Sequence, residues 1–311
     1  MPYVLGVDVG NSHTTAALAW HDVPGAIVVP LDEGSSSVHS VLYLSGDDTV
    51  RVGRDALAMA ESDPERIARG LVARVGDPIA PLLGGRPCPA EILLASLVCW
   101  VVDRAVEQQD GNPPERIVVT HPAGWGPHRR AVLDQALRQA GLSDVLLLPK
   151  PLAAAENYAA GHPVRVGDAV AVYDLGEDAV ACALTRLGPA GFELLGHAES
   201  AESVGGGHFD DLLAGQVLAE LGRAEVDPFD EELRPVIAAL RADCRAAKET
   251  LSNAEDAVVP TPALGPPSSV LLTRARFEEL ITASVHEREA AGSHRCRYLP
   301  RVHFPERGRG G

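Results

Sequence analysis

The sequence predicts an α/β protein with mixed sheets, and three observations predict it. Strand-like apolar runs alternate with helical patterns along residues 3–286. Some neighbouring strands are separated only by a tight turn and others by a helix, so hairpins and crossovers both occur. One hairpin is repeated: "VLGVDVGNSHTTAAL" (4–18) aligns without gaps to "VAVYDLGEDAVACAL" (170–184), an offset of 166 residues that puts Asp8 on Asp174 and Gly10 on Gly176.

Each element follows from its own pattern. "YVLGVDV" (3–9) is an apolar run closed by Gly10, and "TTAALAW" (14–20) returns after a short turn. "AIVVP" (26–30) and "SVLYL" (40–44) extend this β region. Residues 53–75 read as a loose helix with Gly70 inside it. "AEILLASLVCWVVDRAVEQQ" (90–109) is apolar on nearly all sides at its centre, as in a helix buried between layers. "RIVVTHP" (116–122) is a strand closed by Pro122, and "HRRAVLDQALRQAGL" (128–142) an amphipathic helix stopped by Gly141. "DVLLLP" (144–149) is a short strand and "PLAAAENYAAG" (151–161) a helix. Strands are expected at 168–174, 179–187 and 192–198. A glycine turn opens a helix over 205–222, and 229–252 is helical with a break expected at Pro235. "DAVVPTP" and "SSVLLT" read as strands, and "RARFEELITASVHE" (274–287) as the last helix. Residues 288–311 are rich in Arg, Gly and Pro without periodicity, and disorder is expected there.

Composition narrows the function. The net charge of -16 argues against nucleic acid or an anionic membrane as the main partner. Residues 287–311 hold six Arg and three Glu, so the rest of the chain carries -19. Five scattered Cys with no CxxC spacing suit reduced thiols, and the expected location is cytoplasmic. The N-terminus lacks the charge and apolar pattern of a signal peptide. The apolar run at 92–102 is too short for a bilayer span of roughly 20 residues.

The repeated hairpin carries the chemistry. Two copies at half-chain spacing predict two similar lobes facing one another, each offering backbone N–H groups to phosphate oxygens. Gly10 and Gly176 permit close backbone approach, and Asn11 and Ser12 can donate to phosphate or shape the turn. Asp8 and Asp174 are the candidate catalytic carboxylates, holding Mg²⁺ through water or orienting a water. The turn Gly205, Gly206 and Gly207 precedes a helix and is a candidate anion site.

At this point the chain resembles the nucleotide-binding domain of DnaK-type heat-shock-70 chaperones. "GVDVGNSHT", "RIVVTHPAGWGPHRRAVLDQALRQAGL", "LLPKPLAAAENYAAG", "AVYDLGEDAVACAL", "SVGGGHFDDLL", "LRADCRAAKETLS" and "LLTRARFEELI" stand in that family's order. The resemblance implies the actin-like ATPase fold, two similar ribonuclease-H-like lobes, over about residues 3–286. It implies lobe I at 1–166, a partial lobe II at 167–287 and a tail at 288–311. ATP or ADP with Mg is the implied cofactor, with Lys248 and Ser252 at the adenosine. "DVGNSHT" also resembles the phosphate hairpin of type III pantothenate kinases, but the later helices argue against a small-molecule kinase.

The departures from the family are as informative. Glu177, Asp178 and Ala179 replace the glycines and threonine of the second hairpin, and Ala181 replaces an Asp. Val72 stands where a catalytic lysine is aligned, Lys150 where an acidic residue precedes Pro-x-Ala-Ala-Ala, and Glu249 where an Arg stacks on adenine. "AGSHRCRYLPRV" (291–302) is only a faint echo of the segment that closes the adenosine pocket. The expectation is an ATP-binding chain with weak or lost hydrolysis, or else a non-catalytic scaffold. The chain is expected to be C-terminally truncated, with a protein partner covering the incomplete second lobe.

Overall fold

Alternation in the first hairpin sets the register of the main sheet. The computed structural model describes residues 1–60, 62–199, 205–223 and 233–282. β1 (Tyr3–Val9) and β2 (His13–Trp20) pair antiparallel, and Tyr3, Leu5, Val7 and Val9 are buried while the residues between them are not. β3 (Val23–Val28) and β4 (Ser37–His39) both pair with β2. β5 (Leu42–Leu44) lies between β6 (Val50–Val52) and β7 (Ile67–Ala68) in a small separate sheet.

The expected loose helix over 53–75 is corrected by the structure. It resolves into α1 (Arg54–Ala60), β7 and α2 (Leu71–Arg74). Pro64 opens a single 3₁₀ turn, β5 captures Ile67 and Ala68, and Gly70 breaks the chain with φ of 62°. After the short ribbon β8 (Leu82–Leu83) and β9 (Arg86–Pro87) comes α3 (Ala90–Gln108), with Leu94, Leu97, Val98 and Val101 buried.

β10 (Arg116–His121) joins β1 in parallel, and α4 (Pro127–Gln139) crosses to β11 (Val145–Pro149), which is parallel to β10. α5 (Lys150–Gly161) follows without a break. The sheet order is therefore β11-β10-β1-β2-β3, mixed as the sequence predicts. Its apolar face shares one core with α3 and α4.

β12 (Ala169–Leu175), β13 (Val180–Gly188) and β14 (Gly191–Glu199) form a three-stranded sheet in that order. α6 (Gly206–Glu220), α7 (Arg234–Leu251), β15 (Asp256–Pro260) and β16 (Ser269–Thr273) build a second core around Leu213, Leu240, Cys244, Leu251 and Val259. Pro235 lies in the first turn of α7, where a proline forfeits no helical hydrogen bond, and residues 229–232, on which the expected break depends, lie outside the described residues. Residues 274–282 are helical, with the Arg276 N–H on Thr273 Oγ1. Arg274 donates to the carbonyls of Leu251 and Ala254, satisfying the end of α7. The expected tail at 288–311 and the start of the expected helix at 229–232 lie outside the described residues.

The chain divides into two compact units: Met1–Val172 with Ala183–His197, and Tyr173–Cys182 with the described residues from Ala198 onward. Among the described residues no helix is long and apolar enough to cross a membrane.

One buried group in the first core titrates. His121 is 2% exposed and stacked on Trp125; its Nδ1 meets the Pro122 carbonyl at 2.8 Å, and its Nε2 is buried with no hydrogen-bond partner among the described residues. Burial holds its pKa below the ordinary 6.5, aided by Arg130 and opposed by the Pro122 carbonyl. The unfolded chain therefore binds this proton more readily. The stability His121 protects is present above pH 6.5 and lost as pH falls toward its lowered folded value. Denaturant unfolding between pH 5 and 7.5 is expected to show a shallower pH slope for His121→Phe than for the parent, and equal slopes would contradict this.

Candidate functional site

Three chain segments meet at the carboxyl ends of the parallel strands, where open α/β sheets place their ligands. Val7 pairs with Val119, and Thr120 with Leu148, so Asp8 and Thr120 lie one residue beyond on adjacent strands. Both point away from the face that buries Val7 and Val119. Lys150 follows β11 directly as the first residue of α5. Its Nζ lies 3.1 Å from Asp8 Oδ1 and 3.3 Å from Oδ2, and Thr120 Oγ1 donates to the same carboxylate. The side chain of Lys150 is 21% exposed and that of Asp8 47%.

The turn beyond Asp8 is tied down by its own residues. The Gly10 N–H donates to the His13 carbonyl at 2.9 Å, and a Cβ on Gly10 would lie 2.7 Å from that oxygen. Asn11 Oδ1 accepts from the Ala73 N–H at 3.0 Å, serving the first turn of α2. Ser12 Oγ pairs with His13 Nδ1 at 2.9 Å, and the Ser12 carbonyl accepts from the Ser40 N–H. Val72 is buried in the core.

The second hairpin repeats this geometry. The Gly176 N–H donates to the Ala179 carbonyl at 2.9 Å, the same two-residue loop 166 positions later, with Glu177 and Asp178 in place of Asn11 and Ser12. Here the glycine turn lies directly on the hairpin. The Gly206 N–H donates to the Gly176 carbonyl at 2.9 Å and the Gly207 N–H to the Glu177 carbonyl at 3.0 Å. A Cβ on Gly205 would lie 2.3 Å from both carbonyl oxygens, so only glycine allows the approach.

Charges on α6 and α7 lock this arrangement. Glu177 Oε1 lies 2.7 Å from Arg245 Nη2, and Arg245 Nε donates to Asp210 Oδ2 at 2.9 Å. Asp210 is only 4% exposed and also pairs with Lys248, whose Nζ donates to the Gly206 carbonyl at 2.8 Å. Burial works against the Arg245 charge, but Asp210 and Glu177 outweigh it and hold the guanidinium above its ordinary pKa. The carboxylate of Glu177 is thus directed at a cation. Ser252 is exposed at the end of α7, and Glu249 is exposed on the helix.

The structure gathers Asp8 with Lys150 and Thr120, and Gly176, Gly205, Gly206, Gly207 and Lys248 with Glu177, Asp210 and Arg245. Asp174 stands exposed on β12. The sequence reading missed Thr120, Asp210 and Arg245. A signal for the last was present: Arg245 and Lys248, three apart, share one face of α7. Asp8 does not fit a hydrated magnesium well, because its carboxylate already serves Lys150 and Thr120. A dication about 5 Å from that ammonium would be repelled by roughly 7 kcal/mol at an effective dielectric near 20, which cancels the comparable attraction of the carboxylate.

The profile of the Hsp70 protein family matches residues 86–293, more than half of the chain. Among curated relatives, a chaperone protein HscA homolog of Acidithiobacillus ferrooxidans is 31% identical over 300 residues, covering 89% of this chain and 46% of its own length. The HscA homologs of Burkholderia multivorans and Bordetella petrii are 29% and 28% identical, over 82% and 89% of this chain and 43% and 46% of their own. The chain therefore spans about half the length of the curated relatives it matches. These relatives carry the HscA description, not the DnaK one.

Removing one partner of a buried ion pair typically costs about 3–5 kcal/mol. Arg245→Met leaves Asp210 with Lys248, so a loss of about 3 kcal/mol is expected in denaturant unfolding of the second unit. Adding Asp210→Asn is expected to recover part of that loss. Additive losses from the two substitutions would contradict the coupling.

Proposed function

The chain belongs to the Hsp70 family, and on that premise we propose that it binds ATP or ADP with hydrolysis that is weak or lost. Membership carries the actin-like ATPase fold, in keeping with the mixed sheet β11-β10-β1-β2-β3. The first hairpin, through Gly10, Asn11 and Ser12, and the second, through Gly176, are proposed as phosphate contacts.

One observation carries the reading of impaired chemistry. The Gly206 and Gly207 N–H groups already donate to the second hairpin, and Lys248 is already held by Asp210 and the Gly206 carbonyl. A phosphate contact from the Gly206 or Gly207 N–H must first break those bonds, and Lys248 can turn to a ligand only with what Asp210 and the Gly206 carbonyl leave it. Each exchange returns little, because the net value of a hydrogen bond is only about 1 kcal/mol. Asp174 keeps the proposed role of orienting a water, but Asp8, paired with Lys150, does not fit that part. Val72 offers no charge at the aligned lysine position. A chaperone role in the cytoplasm, with peptide binding supplied by another polypeptide, is part of the same proposal.

The second reading is a non-catalytic scaffold. The Glu177–Arg245–Asp210–Lys248 network favours it, because the network holds the second hairpin without any ligand.

Thermal melts separate the two. At nucleotide about tenfold above Kd, binding adds about 1.4 kcal/mol, a Tm rise of roughly 2–4 °C for a chain of this size. Such a rise with ATP and with ADP, and phosphate release no faster than a buffer blank or barely so, is the expected result. No shift at millimolar nucleotide would leave the scaffold, and brisk turnover would contradict the loss of chemistry.

A further inference from the structure

We propose that Lys150 supplies, at the ends of β1, β10 and β11, the positive charge that a divalent ion brings elsewhere in the family, so that this chain binds nucleotide without a metal. The inference rests on the nucleotide reading above and deepens it by naming the ionic form of the ligand.

The argument begins with position. Lys150 is the first residue of α5, immediately after the strand that ends in Pro149. The next residue, Pro151, is buried, so the backbone that carries the lysine is fixed on both sides. The ammonium reaches both oxygens of Asp8, and Thr120 takes one of the same oxygens. The carboxylate is thereby neutralised by the chain itself.

Charge and donor chemistry follow. An ammonium carries three N–H donors, so pairing with one carboxylate leaves capacity for an anion. Asp8 is about half exposed and sits two residues before Gly10, so the open side of the pair borders the turn proposed to meet phosphate. A lysine in such a place acts as a point charge on phosphate oxygens. A dication finds little here, because the Asp8 carboxylate that would attract it already serves Lys150 and Thr120. The neutral pair draws in no dication, and the ammonium N–H groups that Asp8 does not use are left for a phosphate of the uncomplexed nucleotide.

Titration calorimetry with ATP and with ADP, in excess Mg²⁺ and separately in EDTA, tests this. The parent chain is expected to bind in EDTA as tightly as in Mg²⁺ or tighter. Lys150→Glu restores an acidic pair with Asp8 and is expected to bind at least about tenfold more weakly in EDTA than in Mg²⁺. If its melt shows that Lys150→Glu does not fold, Lys150→Gln is expected to show the same loss in EDTA with part of it recovered in Mg²⁺. Binding by the parent only in the presence of Mg²⁺ would overturn the inference and leave the nucleotide reading standing. Binding in neither condition would overturn both.

Discussion

Two backbone hydrogen bonds, from Gly206 and Gly207 to the carbonyls of Gly176 and Glu177, fasten the glycine turn to the second hairpin. They form because Gly205 has no side chain to keep the two segments apart. Around them α6 and α7 add a buried carboxylate, Asp210, and the two cations it requires. A carboxylate so buried cannot stand alone, so Arg245 and Lys248 are committed to it. The Gly206 and Gly207 N–H groups and Lys248 are thus engaged within the fold, and the acidic loop residue Glu177 is one of the ties.

The first unit reaches a similar end by another route. Its hairpin has the same loop geometry, but the loop residues Asn11 and Ser12 serve the neighbouring α2 and Ser40. At the strand ends the chain places a lysine against Asp8. Positioning and charge neutralisation are most of what phosphoryl chemistry asks of a protein. Within each unit, charged side chains beside the hairpin neutralise one another.

Much of the fold was legible because it is local. The first hairpin, α3, the parallel strands at 116 and 145 and the repeat at 170–184 all carry their period in consecutive residues. The stretch at 53–75 was misread because Ile67 and Ala68 are captured by β5, a partner more than 20 positions earlier. The site was legible as a set of departures but not as contacts. That Lys150 is unusual can be read from its motif; that it meets Asp8, 142 residues away, cannot. The direction of Glu177 was likewise fixed by Arg245, 68 residues on. Long-range pairing of charges is where sequence periodicity has nothing to say.

The central claim is that the glycine turn already spends its donors on the second hairpin. Amide hydrogen exchange at Gly206 and Gly207, followed by NMR in the nucleotide-free protein, reads it directly. Slow exchange at both amides, unchanged when ATP is added, is the result this account expects. Rapid exchange in the free protein that becomes slow only with ATP would contradict it, because those donors would then belong to the ligand.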